Sequence, residues 1–143
     1  WYGSTLSKNS KSGEMLHVIN HGSSVDGFNW KKNGLSLPYQ EQAINAFSRP
    51  SVICYDHENF EMWYSYRRAG QKSYGISSAV SNDGKKWLHN KEHLEMRTSN
   101  SGWDSEMIEY PFVFRHKQNL YMLYNGNDYG KTGFGLAVFN YNA

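Results

Sequence analysis

Three carboxyl side chains, Asp104, Glu106 and Glu109, lie within six positions in the stretch SGWDSEMIEYPFVF. Hydrolysis of a glycosidic bond needs two carboxyl groups of different pKa, one that donates a proton and one that is ionised. In an extended strand, alternate side chains point to opposite faces, so Glu106 and Glu109 would face different sides. The stretch therefore has two interpretations: acid chemistry on a sugar, or a solvated polar loop that leads into a strand.

The elements that must position these carboxyl groups form a repeat of about sixty residues. The motif S-x-D-G-x-x-W occurs at Ser24–Trp30 and again at Ser81–Trp87, which places its tryptophans 57 positions apart. Residues 49–65 recur as residues 110–125, with the two prolines 61 positions apart. Two shorter pairs, WYGS with WYSY and YGISSAV with FGLAVF, recur after 62 and 60 positions. Four independent markers thus agree on one period.

Each repeat is predicted to consist of β-strands. The apolar run PSVICY, the alternating run FEMWYSY and the run YGISSAVS are separated by turn residues, and Asp83-Gly84 favours a tight hairpin. Four antiparallel strands per repeat are typical of a β-propeller blade. We therefore predict an all-β fold, a partial β-propeller of two to three blades, with blade remnants at 1–47, 48–108 and 109–143. Trp30 and Trp87 are predicted to be buried between blades.

A complete propeller has roughly four to eight blades, so two to three blades would leave sheet edges open. Either residues precede Trp1 in a parent protein, or copies assemble into a homo-oligomer. The chain begins at Trp1, apparently inside a strand, and no signal peptide is visible. A cytoplasmic location is plausible with a single cysteine, although the sequence does not determine the location.

Composition predicts neither a nucleic-acid nor a membrane partner. The 143 residues fit one domain, the net charge is +2, and no long apolar run is present. Cys54 lies in an apolar run and is predicted to be buried. Histidine pairs four positions apart would lie too far from each other along a strand to share one ion, so no metal is predicted. The Gly-rich segment 125–133 is interpreted as a hairpin turn, and no cofactor is predicted.

Several of these segments together resemble the five-bladed β-propeller glycosidases, the superfamily of arabinanases, β-xylosidases and invertases. The shared segments are SRPSV, MWYS, both S-x-D-G-x-x-W hairpins, GWDSEMIEYP, YMLYNGN and YGKTGFGLAV. They cover almost the whole chain, but only the C-terminal half or so of such a protein. The resemblance implies a carbohydrate ligand in a central funnel. It also implies a general-acid Glu directly before a small residue and a Pro on an inner strand.

Glu109 matches that motif and is the predicted general acid, with Glu106 as the alternative. Tyr110 departs from the small residue of the motif. The general base and the carboxylate that tunes the acid come from earlier blades in that superfamily, so the catalytic set in this chain is expected to be incomplete. The function is therefore predicted as glycosidase-like, hydrolysing or binding a glycan. The alternative is a non-catalytic carbohydrate-binding or self-assembling module.

Four further residues are predicted to bind substrate: Arg49, Trp103, Asp104 and Tyr110. Arg49 corresponds to Tyr110 in the repeat, so both should face the same region. An arginine there could bind a carboxylate or hydroxyl group or hold a catalytic carboxylate ionised, or it could form a structural ion pair with Glu109 or Asp104. Trp103 is either a platform for a sugar ring or a packing residue, and Asp104 is either a ligand or the cap of its loop.

Overall fold

The computed structural model describes residues 1–8, 15–39, 44–90 and 96–139. These ranges contain ten strands and one short helical turn, and the all-β class is confirmed. The strands are β1 (Tyr2–Lys8), β2 (Met15–Ser23), β3 (Lys31–Leu35), β4 (Ile44–Asp56), β5 (Asn59–Arg68), β6 (Gly75–Ser81), β7 (Leu88–His89), β8 (Glu109–His116), β9 (Asn119–Asn125) and β10 (Phe134–Phe139), and the helical turn is α1 (Asn127–Gly130). None of the helical residues described forms a segment long and apolar enough to cross a membrane.

The strands pair in three antiparallel groups. The first group is β1, β2 and β3; the second is β4, β5, β6 and β7; the third is β8, β9 and β10. A single parallel bridge between His17 and Ala46 joins the first two groups into one sheet, whereas the third group is separate. Within each group, strands that are consecutive in sequence are neighbours in space, as the alternating patterns and short turns predict.

Two apolar cores hold the three groups together. The first core lies between the first and second groups and contains Ile19, Leu37, Phe47, Met62, Tyr64, Ala79 and Trp87. The second core lies between the second and third groups and contains Trp63, Ile76, Ile108, Val113, Leu120, Met122 and Tyr124. Met62 and Tyr64 face the first core and Trp63 faces the second, because alternate residues of β5 point to opposite faces. The second group is therefore covered on both sides.

The two S-x-D-G-x-x-W hairpins fold in the same way. In each, the Asp carboxylate accepts two backbone N–H bonds: Asp26 from residues 28 and 29, and Asp83 from residues 85 and 86, all at 2.8–2.9 Å. The glycine that follows has positive φ, 77° at Gly27 and 67° at Gly84, a conformation that costs glycine nothing. These backbone hydrogen bonds are the main reason that the pKa of each carboxyl lies below its ordinary value.

The tryptophans of the two hairpins differ in exposure. Trp87 is 1% exposed and packs edge-on against Trp1, whose indole N–H donates to the Gly84 carbonyl at 2.9 Å. Trp30 is 64% exposed, and its own indole N–H donates to the Gly27 carbonyl at 3.0 Å. The prediction of a buried indole is therefore right for Trp87 and wrong for Trp30. The motif determines the conformation of the turn. Whether its tryptophan is buried depends on a neighbouring residue such as Trp1, which lies directly before β1.

Cys54 is exposed, so the prediction that it is buried is wrong. Its neighbour Ile53 packs against the second core, and alternation along β4 turns Cys54 to the opposite face. The thiol donates to the carbonyl oxygen of Asp56 at 3.0 Å. An apolar run does not show which of its positions faces outward.

The third group carries an apolar face that nothing in the described chain covers. On β10, Phe134, Leu136 and Val138 are 73%, 54% and 47% exposed. Ala137 and Phe139 point to the other side of the strand and pack against the second core. Cross-strand partners extend this face over β9 and β8. We call it the open face; its residues are Phe112, Phe114, Tyr121, Leu123, Phe134, Leu136 and Val138. Large contiguous apolar surfaces are common where proteins bind partners.

Candidate functional site

Strands β4 and β8 bring the predicted residues Arg49 and Tyr110 together. The Tyr110 N–H donates to the Ser65 hydroxyl at 2.7 Å, and the Val113 N–H donates to the Ser51 hydroxyl at 2.8 Å, so serines of the second group tie β8 against it. The Arg49 guanidinium lies over the Tyr110 ring, 5.0 Å from its centroid. The two positions that correspond in the repeat thus lie in contact.

Both residues occupy an unusual backbone conformation. The φ angle is 51° at Arg49 and 56° at Tyr110, each directly before a proline and each at an irregularity in the strand register. A left-handed conformation at a non-glycine residue costs on the order of 1–3 kcal/mol and persists where the surroundings enforce it. Asp128 and Tyr129 also have positive φ. Four of the five non-glycine residues with positive φ in the described ranges therefore lie in this region, as strained residues do at functional sites.

Glu109 lies beside this contact, at the start of β8, and it is 0% exposed. Neither of its carboxylate oxygens has a hydrogen-bond partner in the described part of the chain. Burial removes the ionised form from water and raises the pKa of Glu109 from 4.5 to about 7, although the positive charge of Arg49 acts in the opposite direction. Glu109 can therefore hold a proton near neutral pH and release it, as a general acid must.

An open pocket of about 510 Å³ lies at the Arg49–Tyr110 contact. It is lined by Gly3, His17, Ser48, Arg49, Pro50, Tyr74 and Tyr110. A second pocket of about 660 Å³ adjoins it and shares Tyr74. Its other lining residues are Arg67, Lys72, Ser73, Glu106, Met107, Asp128 and Tyr129.

Three tyrosines connect the two pockets. The ring of Tyr129 lies 6.4 Å from that of Tyr110 and 6.3 Å from that of Tyr74, measured between centroids. The Arg67 guanidinium lies 5.7 Å from the Tyr74 centroid, so the series begins and ends with an arginine. We call the two pockets and these rings the tyrosine groove. Aromatic faces with polar rims suit ligands that are partly apolar and partly hydroxylated.

The loop before β8 places Glu106 in the second pocket. The Asn127 side-chain oxygen accepts the N–H groups of Glu106 and Met107 at 2.8 and 3.0 Å, which joins this loop to α1. Glu106 is exposed, whereas Glu109 is fully buried. An extended strand over residues 106–109 would point consecutive side chains to opposite faces. The strand begins only at Glu109, however, and Met107, Ile108 and Glu109 are all buried.

Trp103 and Asp104 lie away from the lining of both pockets. Asp104 is 6% exposed and accepts a hydrogen bond from the Tyr124 hydroxyl at 3.0 Å, and burial together with Asp104 raises the pKa of Tyr124 to about 12. Trp103 stacks on Tyr124 with 5.4 Å between centroids. Trp103 therefore packs against a buried side chain, as the second of its two predicted roles requires. Ligand binding by Trp103 and Asp104 stays a prediction.

Sequence reasoning missed Tyr74, Tyr129 and Arg67 as groove residues. Tyr74 corresponds to Phe134 in the repeat, and Tyr129 lies in the Gly-rich segment whose pattern indicates only a turn. The Tyr74 carbonyl accepts the Ile108 N–H at 3.3 Å, which positions it beside β8.

No metal-binding group of three or more His, Cys, Asp or Glu side chains occurs within the four described ranges. His17 contacts the Thr5 hydroxyl through Nδ1 at 3.4 Å, and His89 Nδ1 contacts the Tyr64 hydroxyl at 2.8 Å. His93, which pairs with His89 in the sequence pattern, lies outside the described residues. His89 Nε2 also contacts the Pro38 carbonyl oxygen at 2.9 Å.

The chain is similar in sequence to two proteins of Mycobacterium tuberculosis, the uncharacterized proteins MT1551 and Rv1502. Each is 40% identical over 139 residues, which is 96% of this chain and 45% of the relative. The chain thus spans less than half the length of the curated relatives it matches. No family model matches the sequence.

Two solved structures share the fold. One is described as a glycoside hydrolase, with a TM-score of 0.74, and the other as a BT0996 RGII complex, with a TM-score of 0.70. Each match has 15% sequence identity and covers 96% of this chain and 39% of the other. The chain therefore has the all-β fold of part of a glycoside hydrolase.

Proposed function

We propose that the chain is a carbohydrate-active segment of a glycosidase-type β-propeller, with the tyrosine groove as its carbohydrate site. The three antiparallel groups would be consecutive blades, within the bounds 1–47, 48–108 and 109–143. Support comes from the sixty-residue repeat and from the fold shared with part of a glycoside hydrolase. The groove runs along the start of β8, where consecutive sheets meet.

Glu109 is the proton donor in this proposal. The observation that carries it is a fully buried carboxyl group without a hydrogen-bond partner among the described residues, beside a groove and with a pKa raised to about 7. A carboxyl in that state is protonated in a substantial fraction of molecules at neutral pH. It could therefore protonate a leaving glycosidic oxygen that reaches it.

Catalysis needs a second carboxyl group, about 5–5.5 Å away for retention or about 6.5–9.5 Å away for inversion of the sugar configuration. Glu106 is the candidate among the carboxyl groups that line the groove. Asp128, the other one, forms an ion pair with Lys131 at 3.4 Å. Arg49 would position substrate or limit the rise in the pKa of Glu109. If Glu106 serves as the second carboxyl group, the chain hydrolyses a glycan. If it does not, the chain only binds one.

The test is hydrolysis of a panel of nitrophenyl glycosides by the wild type and three variants. Glu109→Gln should lower kcat/KM by at least about a hundredfold, in keeping with the contribution of a general acid, about 10²–10⁴-fold. Glu106→Gln should lower it if Glu106 is the second carboxyl. Glu58→Gln, in the exposed turn before β5, is the matched control. Equal turnover by all four proteins would refute both assignments.

A second candidate is a non-catalytic module that assembles with further copies of itself and binds a glycan without turnover. The open face favours assembly, because its equivalents in the second group are covered by a neighbouring sheet: Leu123 corresponds to Trp63, and Leu136 corresponds to Ile76. In this candidate a sheet of another copy covers Leu123 and Leu136 in the same way.

Sedimentation velocity over a range of protein concentrations tests the assembly. The wild type should associate, and Leu136→Lys should shift the population to the monomer, while Lys32→Glu on exposed β3 should not. A wild type that stays monomeric at all concentrations would exclude self-assembly. Glycan binding without hydrolysis would favour this candidate over the enzyme.

A further inference from the structure

The charges that line the tyrosine groove are predominantly positive. Arg49, Arg67 and Lys72 contribute three cations, against the two carboxylates Glu106 and Asp128. Asp128 forms an exposed ion pair with Lys131 at 3.4 Å, and Glu106 is the other anion among the lining residues.

Arg49 is placed to bind an anion. Its guanidinium lies over the Tyr110 ring, 5.0 Å from the ring centroid, and its positive charge acts on Glu109 without a hydrogen bond between the two side chains. Arg49 lines the open pocket at this contact, so a ligand in that pocket can contact its side chain. The strained backbone of Arg49 and the adjoining Pro50 fix the point from which the side chain extends. Glu109 accepts no hydrogen bond from the described residues, so its carboxyl does not occupy the N–H groups of Arg49.

The fork of N–H groups on a guanidinium matches a carboxylate, to which it can donate two parallel hydrogen bonds. Tyr129 is 55% exposed and lies beside Tyr110, so a ring held next to the carboxylate would meet an aromatic face. Glu106 in the same groove would repel a doubly charged phosphate more strongly than a singly charged carboxylate. The ligand that fits is a ring of sugar character that carries one carboxylate.

We infer that the tyrosine groove binds an acidic saccharide, a uronic acid residue whose carboxylate pairs with Arg49 while its ring lies against Tyr129. This inference rests on the proposed carbohydrate function and adds the chemical class of the sugar. Lys72, in the adjoining pocket, would attract a second acidic residue of the same saccharide. Arg49 is in this role a binding residue and need not take part in proton transfer.

The test compares two ligands that differ in the charge of the carboxyl group and in one methyl group: short oligosaccharides of galacturonic or glucuronic acid, and the methyl esters of the same oligosaccharides. Calorimetric titration of the full chain should give tighter binding of the acid form, by about tenfold or more, as expected for hydrogen bonds to a charged group. Arg49→Gln should abolish the preference, and Arg49→Lys should retain part of it, because the charge stays and the fork is lost.

Arg115→Gln is the matched control, since Arg115 also lies over a tyrosine ring, 4.7 Å from the centroid of Tyr55, but away from the groove. It should leave the preference unchanged. Equal affinity for acid and ester would overturn the inference and leave the carbohydrate function standing. Binding of neither form, nor of neutral oligosaccharides, would overturn both. Displacement of the acid form by an equal concentration of inorganic phosphate would show a general anion site and also refute the uronate assignment.

Discussion

The buried carboxyl of Glu109 makes the stability of the fold depend on pH in a direction opposite to that of most carboxyl groups. Its pKa is raised from 4.5 to about 7, so the folded chain holds the proton more tightly than the unfolded chain does. The resulting stabilisation is fully present below pH 4.5 and is lost as pH rises through about 7. At about 1.36 kcal/mol per pKa unit, the loss is about 3 kcal/mol.

Glu109→Gln removes the ionisation and retains the shape of the side chain. At about pH 5 the variant and the wild type should have similar free energies of unfolding, because the wild-type carboxyl is then protonated. At about pH 8 the variant should be more stable by about 2–3 kcal/mol, because the wild type must bury a charge. For a chain of this size, that corresponds to roughly 10 °C in melting temperature.

Urea denaturation of both proteins between about pH 5 and pH 8 measures the effect. The difference between the two free energies is used, so that the titration of histidines common to both proteins cancels. A difference between wild type and Glu109→Gln that stays constant over this range would refute the assignment of a raised pKa to a buried Glu109.

Three further predictions concern the contacts that position the site. Ser65→Ala should destabilise the fold by about 1–3 kcal/mol in urea denaturation, because it leaves the Tyr110 N–H without its acceptor; an unchanged midpoint would contradict this. Tyr124→Phe should cost a similar amount, since buried Asp104 then loses its hydroxyl donor, and the ultraviolet titration near pH 12 should lose one tyrosine. Asp83→Ala should lower the melting temperature at neutral pH, and the deficit should vanish at acid pH, because the wild-type carboxylate loses its stabilising effect as pH falls through its lowered pKa; a deficit that is the same at both pH values would count against the hairpin contacts.

The repeat predicted from sequence that Arg49 and Tyr110 face the same region. Equating Arg49 with Tyr110 placed both residues in one region, and the structure brings them into contact. The all-β class followed from strand patterns and turn residues because those signals are local. The position of Glu109 at the start of a strand followed in the same way, whereas its burial depends on the sheets that pack around it.

Two kinds of feature could not be predicted from the sequence: those that depend on residues distant in sequence but close in space, and those that depend on a strained backbone. Trp30 and Trp87 share a motif, yet only Trp87 has a neighbouring indole that covers it. The positive φ angles of Arg49 and Tyr129 have no sequence signal, because such conformations normally call for glycine. Because these φ angles could not be predicted, the alignment of tyrosines along the groove could not be predicted either.

The difference between the two hairpins gives the protein an internal optical reporter. Trp30 is the most exposed of the tryptophans, whereas Trp63 and Trp87 are shielded from solvent. A soluble quencher such as iodide therefore reaches Trp30 in preference to the buried indoles. Any molecule that covers the Ser24–Trp30 hairpin, as Trp1 covers its counterpart at Gly84, would remove that quenching and shift the emission to shorter wavelength. Occupancy of this hairpin can thus be followed without a label.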